Sequence, residues 1–164
     1  KQINPDSLGF LISDIARIMR GVFSSEIEAA DLPVTAAESR VLAHMSRCGA
    51  TRQHLLAESL GMAPMSLTGF LDRLEQAGLI ARGPDPSDRR AKIVSLTAAA
   101  PPILAQIAEA AERAEATLAH RVSDADFAHF RAIALALRSS NEPKIALANA
   151  ADAAPKPARQ KETA

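Results

Sequence analysis

The sequence predicts a mainly α-helical fold that carries a small β-hairpin. Apolar residues recur at three- and four-residue steps in six segments, which is the spacing of helices with one buried face. Two short apolar runs, 79–80 and 93–96, flank a turn rich in Pro, Asp and Ser, which is typical of a two-stranded hairpin. With 164 residues, of which 48% are hydrophobic, the chain is long enough for one core-forming domain with an appended helical element.

The first predicted helix carries one continuous apolar stripe over several turns. Asp6 or Ser7 can cap its amino terminus. The stripe consists of Leu8, Leu11, Ile12, Ile15, Ile18, Met19, Val22 and Phe23.

The second and third helices are predicted from their end signals. Thr35 and Glu38 form a capping-box pattern ahead of the second helix, which Gly49 closes. The third helix is short, spans Thr51–Leu60 and ends at Gly61. Its inward residues are Leu55, Leu56 and Leu60.

The fourth helix has two different faces. Pro64 fits its first turn, because the missing N–H of proline would have no intrahelical acceptor there, and Gly78 ends it before the first strand. The inward face consists of Leu67, Phe70, Leu71 and Leu74, at steps of three and four residues. The opposite face consists of Met65, Ser66, Thr68, Gly69, Asp72 and Arg73. One face therefore packs and the other is free to contact a partner.

Two further helices follow the hairpin. Thr97 can cap the fifth, with Pro101 and Pro102 either in its first turn or displacing its start, and Ser123 with Asp126 resembles a capping box for the sixth. The predicted stripe of the fifth helix is Ile103, Leu104, Ile107, Ala111, Ala114, Leu118 and Val122. The sixth is predicted to pack through Phe127, Phe130, Ile133, Ala134 and Leu137.

Bulk composition narrows the function classes. The 19 basic and 19 acidic side chains give no net charge, so any affinity for nucleic acid must be judged from where individual arginines lie. No run of 18 apolar residues and no secretory signal are present, which predicts no membrane partner and a cytoplasmic location. The single Cys48 suits a reducing compartment. The Ala/Lys/Pro-rich tail, Pro143–Ala164, is predicted to be flexible.

The third helix, the glycine turn and the fourth helix together form a helix-turn-helix pattern, in which the second of the two helices enters the major groove of DNA. The residues predicted to approach base edges are Pro64, Met65, Ser66 and Thr68. Arg73 lies further along and is predicted to meet the phosphate backbone. The hairpin places Arg89 and Arg90 at its tip, where a guanidinium can enter the minor groove, and Asp88 can orient one of them.

At these residues the chain resembles the MarR family of winged helix-turn-helix transcriptional regulators. The resemblance covers roughly 34–97 by motif, and the order of the flanking helices fits to about Leu137. It is carried by Leu60-Gly61, Thr68, the run from Leu71 to Ile80, the turn from Asp85 to Arg90, and Val94-Ser95-Leu96-Thr97. Two positions differ from what is usual in the family, Gly69 and Ala63, which replaces a Ser or Asp cap.

The resemblance implies a bacterial homodimer that binds a pseudo-palindromic operator in double-stranded DNA, usually as a repressor. An enzyme is disfavoured on separate grounds, because no nucleophile, base and orienting group recur in a plausible constellation. The resemblance implies four regions: 1–33, an N-terminal dimerisation helix; 34–97, the DNA-binding lobe; 98–142, C-terminal dimerisation helices; and 143–164, the tail. It further implies release of DNA by a small aromatic or phenolic acid held between the first, second and fifth helices. The candidate residues there are Arg17, Arg20, Phe23, Ser39, Arg40, His44 and Met45.

Other interpretations remain open. Winged helices also mediate protein contacts, and the zero net charge fits a protein-interaction module without DNA binding. Arg89 and Arg90 are also typical of a solvated turn, and apolar stripes are also what core packing alone requires. His44 and Cys48, one turn apart, supply too few ligands for a closed zinc site, so Cys48 is interpreted as a small buried hydrophobe and no metal or cofactor is predicted.

Overall fold

A computed structural model describes residues 3–88 and 91–140. Within these ranges the chain forms six helices and a three-stranded sheet, so the predicted fold class is confirmed. The helices are α1 (Leu8–Ala29), α2 (Ala36–Cys48), α3 (Gln53–Leu60), α4 (Pro64–Gln76), α5 (Ala100–Ala119) and α6 (Asp124–Ser140). The strands are β1 (Thr51–Arg52), β2 (Ile80–Pro84) and β3 (Lys92–Leu96). The predictions for Arg89, Arg90 and the tail lie outside the described residues.

The sheet is antiparallel with the order β1-β3-β2. The predicted hairpin is present, with Ile80 opposite Leu96 and Pro84 opposite Lys92. The prediction that Thr51 begins the third helix was wrong, because Thr51 and Arg52 form a third strand along the other edge of β3. This pairing satisfies backbone groups of β3 that a two-stranded hairpin would leave open, and the helix starts two residues later.

End signals in the sequence set most helix boundaries. The Thr35 hydroxyl accepts from the Glu38 N–H while the Glu38 carboxylate accepts from the Thr35 N–H, so the capping box is confirmed. Gly49, Gly61 and Gly78 follow α2, α3 and α4 with positive φ angles, which glycine adopts without a steric penalty.

Two predicted caps differ in detail. Ser7 occupies the N-cap position of α1, but its side chain makes no capping hydrogen bond. The N-cap residue of α5 is Ala99 rather than Thr97, because both prolines are accommodated in the first turn of α5. The Thr97 hydroxyl instead donates to the Gly78 carbonyl over 2.6 Å and so joins the sheet end to the turn after α4.

The core lies between α2, α4, the sheet and one face of α5. Its fully buried large side chains include Val41, Leu42, Met45, Leu56, Leu67, Leu71, Leu74 and Val94. Along α5 the prediction that Ala111 faces inward was wrong, since Ala110 is buried and Ala111 is exposed. The prediction placed the next inward residue four positions after Ile107, whereas in the structure it lies three positions after Ile107.

Large apolar side chains on two helices are exposed in the single chain. On α1 they are Leu8, Phe10, Leu11, Ile12, Ile15 and Ile18. On α6 they are Phe130, Ile133, Leu135 and Leu137. Among the described residues no helix is both long enough and apolar enough to cross a bilayer. The stripe predicted on the first helix is thus present, but one protomer leaves much of it uncovered.

The N-cap residues Thr35 and Ser7 give a first prediction. Thr35→Ala removes a hydroxyl that accepts from the α2 backbone, and it should lower the free energy of unfolding by about 1 kcal/mol. Ser7→Ala removes a hydroxyl that makes no capping bond and should change it by less than about 0.5 kcal/mol. Urea denaturation followed by circular dichroism measures both, and equal losses for the two variants would contradict the capping assignment.

Candidate nucleic-acid interface

The two faces of α4 differ as the sequence predicted. Leu67, Leu71 and Leu74 are buried, whereas Pro64 and Ser66 are exposed and Met65 is 87% exposed. Pro64 occupies the first turn, so no backbone donor is lost there. The amino-terminal half of the exposed face therefore presents small and flexible side chains with nothing packed over them, which is the shape that a groove-binding helix needs.

The turn between α3 and α4 is fixed by a side-chain contact that sequence inspection missed. The Gln53 amide donates to the Thr68 hydroxyl over 2.9 Å, and that hydroxyl donates to the Pro64 carbonyl over 2.9 Å. Thr68 was predicted to face a partner, and in the structure its hydroxyl holds the first turn of α4 against α3. Of the two predicted hydroxyl contacts, Ser66 is the more exposed.

Arg73 is tied to a buried carboxylate. Its Nε donates to Glu38 Oε1, and its guanidinium lies 5.2 Å from the centre of the Phe70 ring, within cation–π range. Burial raises the pKa of the Glu38 carboxyl, but hydrogen bonds from the Thr35 N–H and the Arg73 guanidinium outweigh burial and leave that pKa below its usual value. Because the Arg73 side chain is still 56% exposed, it anchors α4 to α2 while part of its guanidinium faces solvent.

A second arginine fixes the angle between α4 and the hairpin. The guanidinium of Arg82, on β2, donates to Glu75 over 2.5 Å and to Asp72 over 2.6 Å, both on α4. The hydrogen bond from Arg82 holds the pKa of Glu75 below its usual value. No motif pointed to Arg82; the only available signal was an arginine in a short strand that follows a helix with two acidic residues in its last turns.

The base of the hairpin tip is anchored to β1. Arg52 Nε donates to Asp85 Oδ2 over 2.5 Å, and its NH2 group donates to the Ser87 hydroxyl over 2.9 Å. Asp85 also accepts from the Ser87 N–H, and its own N–H donates to the Ala91 carbonyl. The Arg52 hydrogen bond, followed by those from Ser87, lowers the pKa of Asp85 to about 2. The tip is therefore held at Asp85 and at Ala91, and Asp88 between them is exposed. Arg89 and Arg90 lie outside the described residues.

The residues predicted to hold an effector are dispersed in the single chain. Arg17 and Arg20 are exposed on α1, where Arg17 pairs with Asp14, and Phe23 is half-buried against the core. Ser39 and Met45 are fully buried in the interior. Arg40 and His44 are the two that the structure brings together, in a recess between α2 and α3.

Across residues 3–88 and 91–140, no group of three or more His, Cys, Asp or Glu side chains could hold a metal ion. Cys48 is half-buried, with its Sγ 3.3 Å from His44 Nε2. The best-formed polar arrangement is thus the exposed face of α4 and the anchored hairpin beside it.

Comparison with known proteins agrees with this geometry. Residues 34–92 match the model of the MarR family. A crystal structure of MarR shares 27% identity with a TM-score of 0.73, and covers 85% of this chain and 95% of that one. Wild-type MarR from E. coli in its apo form shares 24% identity with a TM-score of 0.72, over 84% of this chain and 98% of that one. A mutant MarR from E. coli complexed with operator DNA shares 23% identity with a TM-score of 0.67, over 80% of this chain and 94% of that one.

The family match and the fold match overlap. The matched residues contain α2, α3, α4 and β2 and end at Lys92, the first residue of β3, and the structural likeness extends over the flanking helices. Residues 34–92 therefore match the MarR family model, and the described residues have the winged helix-turn-helix fold of the solved MarR proteins.

Proposed function

We propose that this chain is a DNA-binding transcriptional regulator, a repressor, that acts in the cytoplasm as a homodimer on a pseudo-palindromic operator. The observation that carries the proposal is α4, which buries Leu67, Leu71 and Leu74 on one face and is open on the other, beside a hairpin whose base is anchored on both sides. The likeness to MarR complexed with operator DNA supports the same conclusion. The chain is proposed to regulate transcription rather than to catalyse a reaction.

In this proposal α4 enters the major groove. Pro64, Met65 and Ser66 approach base edges, because they form the exposed first turn of the helix. Arg73 meets a phosphate with the part of its guanidinium that Glu38 leaves exposed. Thr68 acts by holding the first turn, and Arg89 and Arg90 at the hairpin tip are proposed to enter the minor groove.

The homodimer is proposed to form through α1 and α6. Both helices expose large apolar side chains in the single chain, and a surface of that kind is normally covered by another chain. A two-fold axis through these helices would place the two α4 helices about 34 Å apart, the length of one turn of duplex. The dimer therefore reads two half-sites on one face of the DNA.

Release by a small aromatic or phenolic acid completes the proposed cycle. The DNA-binding lobes of a dimer can adopt one arrangement that fits DNA and another that does not. Such an effector releases DNA only if it binds more tightly to the arrangement that does not fit DNA.

A protein-interaction module is the rival function, favoured by the zero net charge of the chain. The two functions differ in their response to salt. Duplex binding releases counterions from the phosphates, and this release becomes less favourable as the salt concentration rises, so duplex affinity falls steeply.

The first test places a carboxylate on the exposed face of α4. A duplex is first selected from a random-sequence library with the wild-type protein, and affinity is then measured by fluorescence anisotropy at several salt concentrations. Ser66→Glu should weaken binding on the order of tenfold or more, because the added charge faces phosphates. Ser46→Glu, at an exposed position on α2, is the matched control and should bind normally. Failure to enrich any duplex, or no steep salt dependence, would favour the interaction module.

The dimer is tested on α1. Ile12→Glu places a charge within the exposed apolar stripe and should convert the dimer to monomer in sedimentation velocity at micromolar protein, because an unpaired charge would be buried at the interface. Ser13→Glu alters the neighbouring exposed position and should leave the dimer intact. A wild-type chain that sediments as a monomer, or equal effects of the two variants, would contradict the proposed interface.

The hairpin anchor predicts a pH dependence. The pKa of Asp85 lies at about 2 instead of its usual 3.8, so the charged carboxylate stabilises the folded chain above pH 3.8 and loses that contribution as pH falls toward 2. Arg52→Ala should return this pKa toward 3.8 and weaken duplex binding through the tip. Arg113→Ala, which breaks an ion pair with Glu26 elsewhere, should leave it unchanged. NMR titration of the Asp85 carboxyl carbon measures the pKa, and a normal value in the wild-type chain would refute the anchor.

A further inference from the structure

One face of α2 carries three nitrogen-rich side chains in a row. Arg40, His44 and Arg47 are separated by four and three residues, which places them along the same side of the helix. Together with Ala43 of α2 and with Ser59 and Leu60 of α3, they line a recess of about 390 Å³. That volume lies within the range of small-molecule sites, roughly 300–1,000 Å³.

The recess is positively charged and holds no acid. No carboxylate lines it, and in the described part of the chain neither Arg40 nor Arg47 forms an ion pair. Elsewhere Arg52, Arg73 and Arg82 each pair with a carboxylate. The two guanidiniums of the recess therefore have no carboxylate partner among the described residues, and Arg47 uses one of its N–H donors on His44.

Hydrogen bonds fix the floor of the recess. Arg47 NH2 lies 3.0 Å from His44 Nδ1, and a guanidinium can only donate, so Nδ1 is the acceptor. The Ser59 hydroxyl donates to the Leu56 carbonyl over 3.0 Å, so it accepts from His44 Nε2–H over 2.7 Å. Burial, reinforced by the Arg47 charge, lowers the pKa of His44 and so favours the neutral ring. The positive charge is thus carried by the arginines, above an imidazole held in one tautomer.

We propose that this recess binds a small organic oxyanion, a carboxylate or a phosphate monoester, between the guanidiniums of Arg40 and Arg47. Guanidinium groups bind both kinds of oxyanion through paired N–H donors. Ala43 and Leu60 give the ligand an apolar wall, so an anion with a short hydrocarbon body fits better than an inorganic ion. The site differs from the one expected between the first, second and fifth helices, because α3 forms its second wall.

A ligand here would touch the helix that positions α4. Ser59 lies on α3, and Gln53 of the same helix donates to Thr68 of α4. An oxyanion that draws α2 and α3 together thus acts on the contact that holds the first turn of α4. The inference rests on the proposed function only for this regulatory consequence, since binding itself requires no DNA.

The test uses the full-length protein without duplex. Benzoate and phenyl phosphate are titrated while the histidine ring signals are followed by NMR, with benzamide as the uncharged control. We expect saturable shifts of the His44 ring for the anions and none for benzamide. Arg40→Gln combined with Arg47→Gln should weaken binding on the order of tenfold or more. Arg121→Gln, an exposed arginine outside the recess, should bind as wild type.

A second variant tests the recess without removing either arginine, so its result does not depend on whether the double substitution still folds. Ala43→Glu keeps both guanidiniums but adds a carboxylate to the recess, and it should also abolish the His44 shifts. The tighter of the two anions identifies whether a carboxylate or a phosphate is the preferred group. Absence of saturable binding, or binding that leaves His44 unshifted and survives both variants, would show that the arginines are only a solvated surface. Duplex affinity is measured separately, so either proposal can fail while the other stands.

Discussion

Burial of the leucine face of α4 determines where the other parts of the candidate interface lie. Leu67, Leu71 and Leu74 are each at most 1% exposed, and burying three leucine side chains contributes about 5–9 kcal/mol. The ion pairs of Arg73 and Arg82 are partly exposed and contribute far less in free energy. Packing therefore holds α4 in place, while the two arginines set its direction relative to α2 and to the hairpin.

The three-stranded sheet fixes the base of the hairpin tip relative to α4. β3 is the central strand, so it is held by β2 on one side and by β1 on the other. Arg52 extends from β1 to Asp85 and Ser87, and the short helix α3 follows β1 directly. The helix pair and the hairpin thus share one support. This explains how a chain with no net charge can present two separate contact elements to a partner in a fixed relation.

Much of this fold could be predicted from the sequence, because it follows from signals between neighbouring residues. The contacts between residues far apart in the chain could not be predicted. The Thr35–Glu38 capping box, Pro64 in the first turn and the leucine spacing of α4 all act within a few residues. β1 has only two residues, and its partners lie about forty positions away, so no periodicity reveals it. The anchors Arg52–Asp85 and Arg73–Glu38 join residues 33 and 35 positions apart, which is why Arg52 was missed and Arg73 was assigned to phosphate alone. The exposed residues of the candidate interface were predicted from the helical face, because exposure follows from the same spacing as burial.

The central claim is that two copies of α4 and two hairpin tips occupy successive grooves on one face of a duplex. Hydroxyl-radical footprinting of a selected duplex bound to the wild-type chain tests this most directly. We expect two protected patches related by a two-fold axis and separated by about one helical turn, with added protection of the minor groove on their flanks. A single patch without symmetry, or uniform protection along the duplex, would contradict it.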